Sequence, residues 1–415
     1  MTSYAHAMTT HKAPHIHSDL DSGPGTDLDT SLGADLNAAF DVDAMLADLR
    51  TLVEIESPSR DRDALAASAR TVAAVLENRL GGQATLIESE AGPHVHWSGG
   101  GDPDVLVLGH HDTVFPLGTL ARRPFRAENG RATGPGVFDM LGGLVQAVHA
   151  VASLADRSGV EFLVTADEEV GSHSSRSLIE ERARACGAVL VMEGAGEGGT
   201  LKTGRKGCGT FHVTVTGRAS HAGLEPAAGV NALVEAAHQV LDIAALGRPD
   251  IGTTVTPTVA SAGTLDNVVP AEATITVDVR VETADEKDRV EAAFAALCPH
   301  LDEAEITVRG GIGRPPMPES ASAELFALAQ RLLPGVEGVA VGGGSDGNFT
   351  AALGVPTLDG LGAVGGGAHA DHEYVVIEAM AERARLVAGL VEAIRSVRGD
   401  RDQGRTDADA RPLDA

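Results

Sequence analysis

The sequence predicts an α/β protein in which a mainly parallel β-sheet is sandwiched by helices and a small ferredoxin-like α+β domain is inserted. Three observations carry this. Short apolar runs at 105–108, 160–164 and 188–192 alternate with helical patterns at 141–155 and 175–185. Fully apolar strands separated by helices mark a parallel sheet buried on both faces. From Thr210 the order becomes β-α-β-β-α-β, through 211–215, 230–245, 253–259, 273–281, 285–297 and 306–308, which is the split βαβ arrangement. After Pro315 and Pro316 the alternation resumes and ends in a long helix near 376–397.

The elements imply a tail at 1–38, a catalytic domain from 39–202 and 312–398, an inserted domain at 203–311 and a second tail at 399–415. The first tail carries His6, His11, His15 and His17, but nothing there fixes the imidazoles in a ligand geometry. Asp19, Asp21, Asp27, Asp29, Asp35, Asp41 and Asp43 read as solvated acids. The first helix shows Met45, Leu46, Leu49, Leu52 and Val53 at helical spacing, and a second spans 64–80.

The 415 residues are 43% hydrophobic and 22% charged, enough for two or three domains with sizeable cores. Trp97 is the only tryptophan, so those cores are built mainly from Ala, Val and Leu. A net charge of -27 repels phosphate backbones and anionic lipid, which argues against nucleic acid and membrane partners. Cys186, Cys208 and Cys298 are too few and too scattered for a disulfide framework or a cysteine zinc site. With no signal-type apolar stretch near the start and no run of about 18 apolar residues, a cytoplasmic protein is expected.

The chemistry gathers at predicted strand ends, where open α/β sheets bind ligands. The run 105–108 leads into Gly109-His110-His111-Asp112. Residues two apart in extended chain share a face, so Asp112 is placed to orient the His110 ring; a strand-end histidine satisfied by hydrogen bonds is the plainer alternative. Asp139 lies between a Gly/Pro loop and a helix start, and by itself reads as an N-cap before it reads as a ligand. Asp167-Glu168-Glu169 follows the run 160–164, and three acids in a row there need solvent or cations. Adjacent side chains diverge, so one of Glu168 and Glu169 can bind metal while the other serves as general base. Glu193 ends the next strand, and Gly365-Gly366-Gly367-Ala368-His369 supplies a second histidine. Together these form an N/O donor set for two divalent ions about 3.5–4 Å apart, zinc first, with cobalt or manganese as substitutes.

Two rival motifs compete. Gly343-Gly344-Ser345-Asp346-Gly347 satisfies G-x-S-x-G, with Asp359 or Asp371 and His369 or His372 following in the order a serine hydrolase needs. That reading leaves His110, Asp139 and the 167–169 acids unexplained. Gly194-Ala195-Gly196-Glu197-Gly198-Gly199 fits G-x-G-x-x-G, but no helix follows to bind phosphate.

The ordered motifs 109–114, 134–143, 167–172, Ala219-Ser220-His221-Ala222-Gly223 and 365–374 resemble those of the zinc peptidase and deacylase family. It contains aminoacylase, acetylornithine deacetylase, succinyl-diaminopimelate desuccinylase and glutamate carboxypeptidase, the last being the most similar. The resemblance covers roughly 40–397. It implies a zinc-peptidase-like catalytic domain and a lid that pairs two subunits. It further implies Asp139 as bridging carboxylate, His110 and Glu193 on one zinc, Glu169 and His369 on the other, Asp112 supporting His110, and Glu168 as general base. His221 would hold the scissile carbonyl or its oxyanion, often in a partner subunit's site. Asn267 would contact the carbonyl and Arg280 the substrate carboxylate, which its planar guanidinium grips bidentately. Apart from the resemblance, the glycine-rich run 343–347 reads as a loop that approaches ligand closely, so Gly344 and Ser345 are expected to contact substrate. The implied reaction is amide cleavage releasing an amino acid with a free carboxylate, glutamate first. Deacylation of an N-acyl amino acid on the same site is the alternative, and a non-catalytic binding descendant the alternative of another class. Leu141 stands where many relatives have Lys, and the basic run 202–207 bears on which acyl or amino-acid part is accepted.

Overall fold

In the computed structural model, which describes residues 40–409 and side chains as far as 396, six strands form the main sheet. Their order is Thr85–Ile87, His94–Ser98, Val160–Thr165, Val105–His110, Ala188–Val191 and Thr357–Leu358. The last four are mutually parallel and the first two antiparallel. Burial on both faces explains the apolar run in the central strand: Val105 and Val107 face one helical layer while Leu106 and Leu108 face the other. The first layer packs Leu49, Val72, Leu144 and Val387 on the sheet, and the second packs Ile179, Ala183 and Phe349. Trp97 meets Phe162 edge-on at 6.0 Å.

A second, four-stranded antiparallel sheet has the order Thr254–Ala262, Glu272–Val281, Gly207–Thr216, Glu305–Arg314, the arrangement expected of a split βαβ unit. Odd-numbered residues Phe211, Val213, Val215, Val277 and Val279 pack under the helices Ala232–Ala244 and Ala284–Ala295. Phe211 stacks on Phe294 at 3.8 Å. The same period of two sends Cys208, Thr210, His212, Asp278 and Arg280 to the opposite, helix-free face.

Against the expected limits of 203 and 311, the strands of this sheet run from Gly207 to Arg314, because Leu201–Arg205 pairs instead with Gly338–Val341. The final helix, Met380–Asp409, outlasts the expected 376–397 and takes up part of the expected second tail. Apolar periodicity marks where that helix leaves the core, not where it stops. Asp41 is no idle acid either, since its carboxylate caps the first helix, Val42–Val53, at the Ala44 N–H. The histidines and remaining acids of the first tail lie outside the described residues. Among the described residues no helix is long and apolar enough to cross a membrane.

Candidate metal centre

A cavity of about 940 Å³ separates the carboxyl ends of the main strands from the helix-free face of the second sheet. Asp139, Glu168, Glu169, Glu193 and His369 line one side, and Cys208, Thr210, His212, Asp278, Arg280 and Arg314 the other.

His110 closes its strand with the ring 1% exposed. Its Nδ1 lies 2.9 Å from the Asp112 backbone carbonyl and 3.5 Å from the carboxylate. The ring is therefore held by the Asp112 peptide oxygen, with the carboxylate expected to orient it standing farther off. The Asp112 carboxylate is occupied elsewhere: it accepts the Ser59 hydroxyl at 2.7 Å and the N–H groups of Glu168 and Glu169 at 3.1 and 3.3 Å. It thereby fixes the turn that presents both glutamates. Asp167 turns away from them to accept the Ser174 N–H and hydroxyl.

Asp139 is not a helix cap; the helix begins at Gly142. Its two carboxylate oxygens split between the histidines, Oδ1 lying 3.2 Å from His110 Nε2 and Oδ2 3.3 Å from His369 Nε2. Each histidine has a glutamate of its own: Glu193 Oε1 is 3.7 Å from His110 Nε2, and Glu169 Oε2 is 3.0 Å from His369 Nε2. His369 sits at φ 64°, a left-handed conformation that costs a side-chain-bearing residue energy and is found at constrained functional positions. Glu373, four residues on and fully buried, accepts the N–H groups of Gly136, Phe138 and Asp139, each at 2.9 Å.

The electrostatics favour a cation here. Hydrogen bonds to Asp139 and Glu169 push His369 up to about 10. Burial, then the Asp139 charge, push Glu193 up to about 7. Burial raises Glu168 well above the carboxylate range, with Arg314 pulling the other way. Ligand atoms of His110, Asp139 and Glu169, and of His110, Glu168 and Glu193, fall within 4.8 Å of one another. With His369 3.3 Å from Asp139 and 3.0 Å from Glu169, the cluster offers two imidazoles and four carboxylates, a donor set that fits divalent zinc, cobalt or manganese.

Arg280 reaches the cavity, held by Asp278 at 2.9 and 3.1 Å. Gly344 also lines it, whereas Ser345 does not. Ser345 is 0% exposed and donates to Asp359 at 2.6 Å, so the expectation that it contacts substrate is corrected. The serine-nucleophile alternative fails with it, because this hydroxyl bonds to a carboxylate already paired with Arg205 and not to a histidine. His221 and Asn267 adjoin one another through the Ala222 N–H to Asn267 carbonyl bond, but both are exposed and outside the cavity lining.

Two further arginines matter here: Arg314, which no motif marks, and Arg205, marked only as part of the basic run. One Arg314 nitrogen, from the last residue of a lid strand, contacts the Glu168 carboxylate at 2.8 Å, the Glu168 carbonyl at 2.7 Å and the Ser172 hydroxyl at 2.8 Å. Arg205, part of the basic run, is buried and bidentate to Asp359 at 2.6 and 3.0 Å, 3.7 Å from Glu193. This part of the run pairs with buried acids and is not part of the cavity lining. Arg205→Met, which strands Asp359, is expected to lower unfolding free energy by about 3–5 kcal/mol in urea titrations. A loss below about 1 kcal/mol would contradict the pairing.

A cavity floored by His369 and convergent carboxylates, with His110 buried directly behind Asp139 and arginines on the opposite wall, defines a metallohydrolase type of site. The profile of peptidase family M20/M25/M40 matches residues 106–393. Carboxypeptidase G2 of Pseudomonas sp. is 34% identical over 371 residues, covering 84% of this chain and 88% of that protein. Succinyl-diaminopimelate desuccinylase of Caulobacter vibrioides is 28% identical over 326 residues, covering 70% and 80%. The M20 family metallo-carboxypeptidase Sso-CP2 of Sulfolobus solfataricus superposes with a TM-score of 0.66 at 17% identity, covering 84% of this chain and 99% of that one. The chain belongs to the M20/M25/M40 peptidase family and is a hydrolytic enzyme, a metallopeptidase or amidohydrolase of that family.

Proposed function

We propose that this enzyme cleaves an amide bond to a C-terminal amino acid, glutamate being the leading candidate, at a centre holding two zinc ions. The observation carrying the reading is Asp139, whose two oxygens point one to each histidine while each histidine keeps its own glutamate. In this assignment His110 and Glu193 hold one ion, His369 and Glu169 the other, and Asp139 is shared. Bound divalent ions supply electrophilic pull on the scissile carbonyl and acidify the attacking water.

The remaining work falls to side chains of the chain. Glu168 takes the proton of the attacking water and returns it to the leaving amine. Arg314 orients that carboxylate. Arg280 grips the substrate carboxylate, and its place on the cavity wall supports this role. His221 and Asn267 stabilise the oxyanion and carbonyl after closure of the lid or from a partner subunit. A reducing, cytoplasmic setting suits three free cysteines.

A homodimer through the lid is supported by an edge strand, Thr254–Ala262, beside a helix with exposed apolar residues: Val259 is 62% and Leu241 70% exposed. The double variant Leu241→Glu, Val259→Lys is expected to be monomeric by light scattering and to lose most activity. An unchanged mass would argue against this face.

Screening N-acyl amino acids and dipeptides on zinc-loaded enzyme tests the substrate, with release of free glutamate expected. The desuccinylase relative keeps N-acyl amino acid deacylation as the second reading. Arg280→Met removes a charge-assisted bidentate contact worth about 1.5–3 kcal/mol, so KM is expected to rise roughly 10- to 100-fold. An unaltered KM would dismiss Arg280 as the carboxylate site.

A further inference from the structure

We propose that Glu373 is a positioning residue of the metal centre, one that sets Asp139 relative to His369. The inference rests on the two-metal reading of the cluster. Glu373 holds no place in the donor set and does not line the cavity, yet it is a fully buried acid whose acceptor capacity is spent on one loop. Oε1 takes the N–H groups of Phe138 and Asp139, and Oε2 that of Gly136. Three backbone donors in four residues, all aimed at one carboxylate, fix the path of the chain up to the Cα of Asp139. The π-helical turn there, in which the Leu141 N–H reaches the Gly136 carbonyl at 3.0 Å, spans Asp139 without holding it, because Asp139 and Met140 have non-helical backbone angles and their loop leans on Glu373.

The other end of the clamp matters as much. Glu373 follows His369 by four residues, in the turn between the strand segments Gly365–Gly366 and Tyr374–Val376. The Glu373 N–H bonds back to the Ala370 carbonyl and the Ala370 N–H to Gly367, so the turn carrying His369 is closed on itself. One carboxylate thus ties the loop of the shared ligand to the turn of a ligand on only one side of the cluster. A metal centre needs its groups held to fractions of an ångström, and side chains and loops behind the ligands supply that precision.

Cobalt(II) titration tests this, because its visible spectrum reports ligand geometry without catalysis. Glu373→Gln keeps Oε1 but turns an amide N–H₂ toward the Gly136 N–H. Its cobalt affinity is expected to fall about 10- to 100-fold, with a shifted spectrum. Glu373→Asp, which keeps the charge but withdraws it by one methylene, is expected to show the same shift. Val375→Ala, at a fully buried apolar neighbour, is the control for mere destabilisation and is expected to lower the melting temperature with the cobalt spectrum unchanged. The proposal is overturned if the Glu373 variants titrate with wild-type midpoint and spectrum, or if Val375→Ala reproduces their loss. Failure of the wild-type protein to bind cobalt would instead overturn the two-metal reading and this inference with it.

Discussion

Glu168→Gln is expected to lower kcat by about 10²–10⁴-fold while cation content stays at the wild-type level. The glutamine keeps the shape but cannot take a proton. The Asp112 carboxylate holds the Glu168 N–H and Arg314 the side chain, so the substituted residue stays in place. KM is expected to change little, because the lost interaction belongs to proton transfer and not to ground-state binding. Ser345→Ala provides the contrast. That hydroxyl is sealed from the cavity, and its replacement is expected to cost stability of about 1 kcal/mol with kcat largely retained. Full activity in Glu168→Gln, or its disappearance in Ser345→Ala under conditions where the protein is folded, would reverse the assignment.

Removal of metal should have the second large effect. Dialysis against a chelator is expected to abolish hydrolysis, and zinc or cobalt to restore it. Asp139→Asn is expected to weaken both cation sites by at least about 100-fold and to leave activity unrestored at ordinary metal concentrations, since one carboxylate faces both histidines. Glu169→Gln, at a carboxylate whose ion-pair contact is with His369, should weaken one site and spare the other. Elemental analysis after dialysis, with stepwise titration, separates the two. Equal losses at one site only for Asp139→Asn would show that it is an ordinary ligand and not the bridge.

Much of this site was legible because its ligands stand at strand ends. A hydrophobic strand in a parallel sheet must finish at the sheet's carboxyl edge, so His110 and Glu193, each directly after an apolar run, could be brought together from sequence. Glu168 and Glu169 were visible for the same reason, though which one faces the histidine depends on a turn anchored by Asp112 from another strand. Arg314 carried no signal, and Arg205 and Glu373 stood inside quoted segments with no role that the sequence could assign. An arginine at a strand end, such as Arg205 or Arg314, or an acid four residues past a histidine has no periodic or spacing signal for its role. Each acquires its role only from what the fold sets against it.

His221 and Asn267 illustrate the opposite case. Motif resemblance groups them with the catalytic residues, but within this chain they are exposed and lie outside the cavity lining. By itself the sequence determined the parallel sheet, the inserted β-α-β-β-α-β unit and the donor types of the metal centre, because burial on two faces and the period of two leave their mark residue by residue. Tertiary structure alone decided that Asp139 faces both histidines, that Ser345 is sealed behind Asp359, that Arg314 reaches Glu168 and that Glu373 clamps the Asp139 loop. Those contacts join residues up to 237 positions apart. Long-range distances of that kind are set by how layers pack, and no local pattern encodes them.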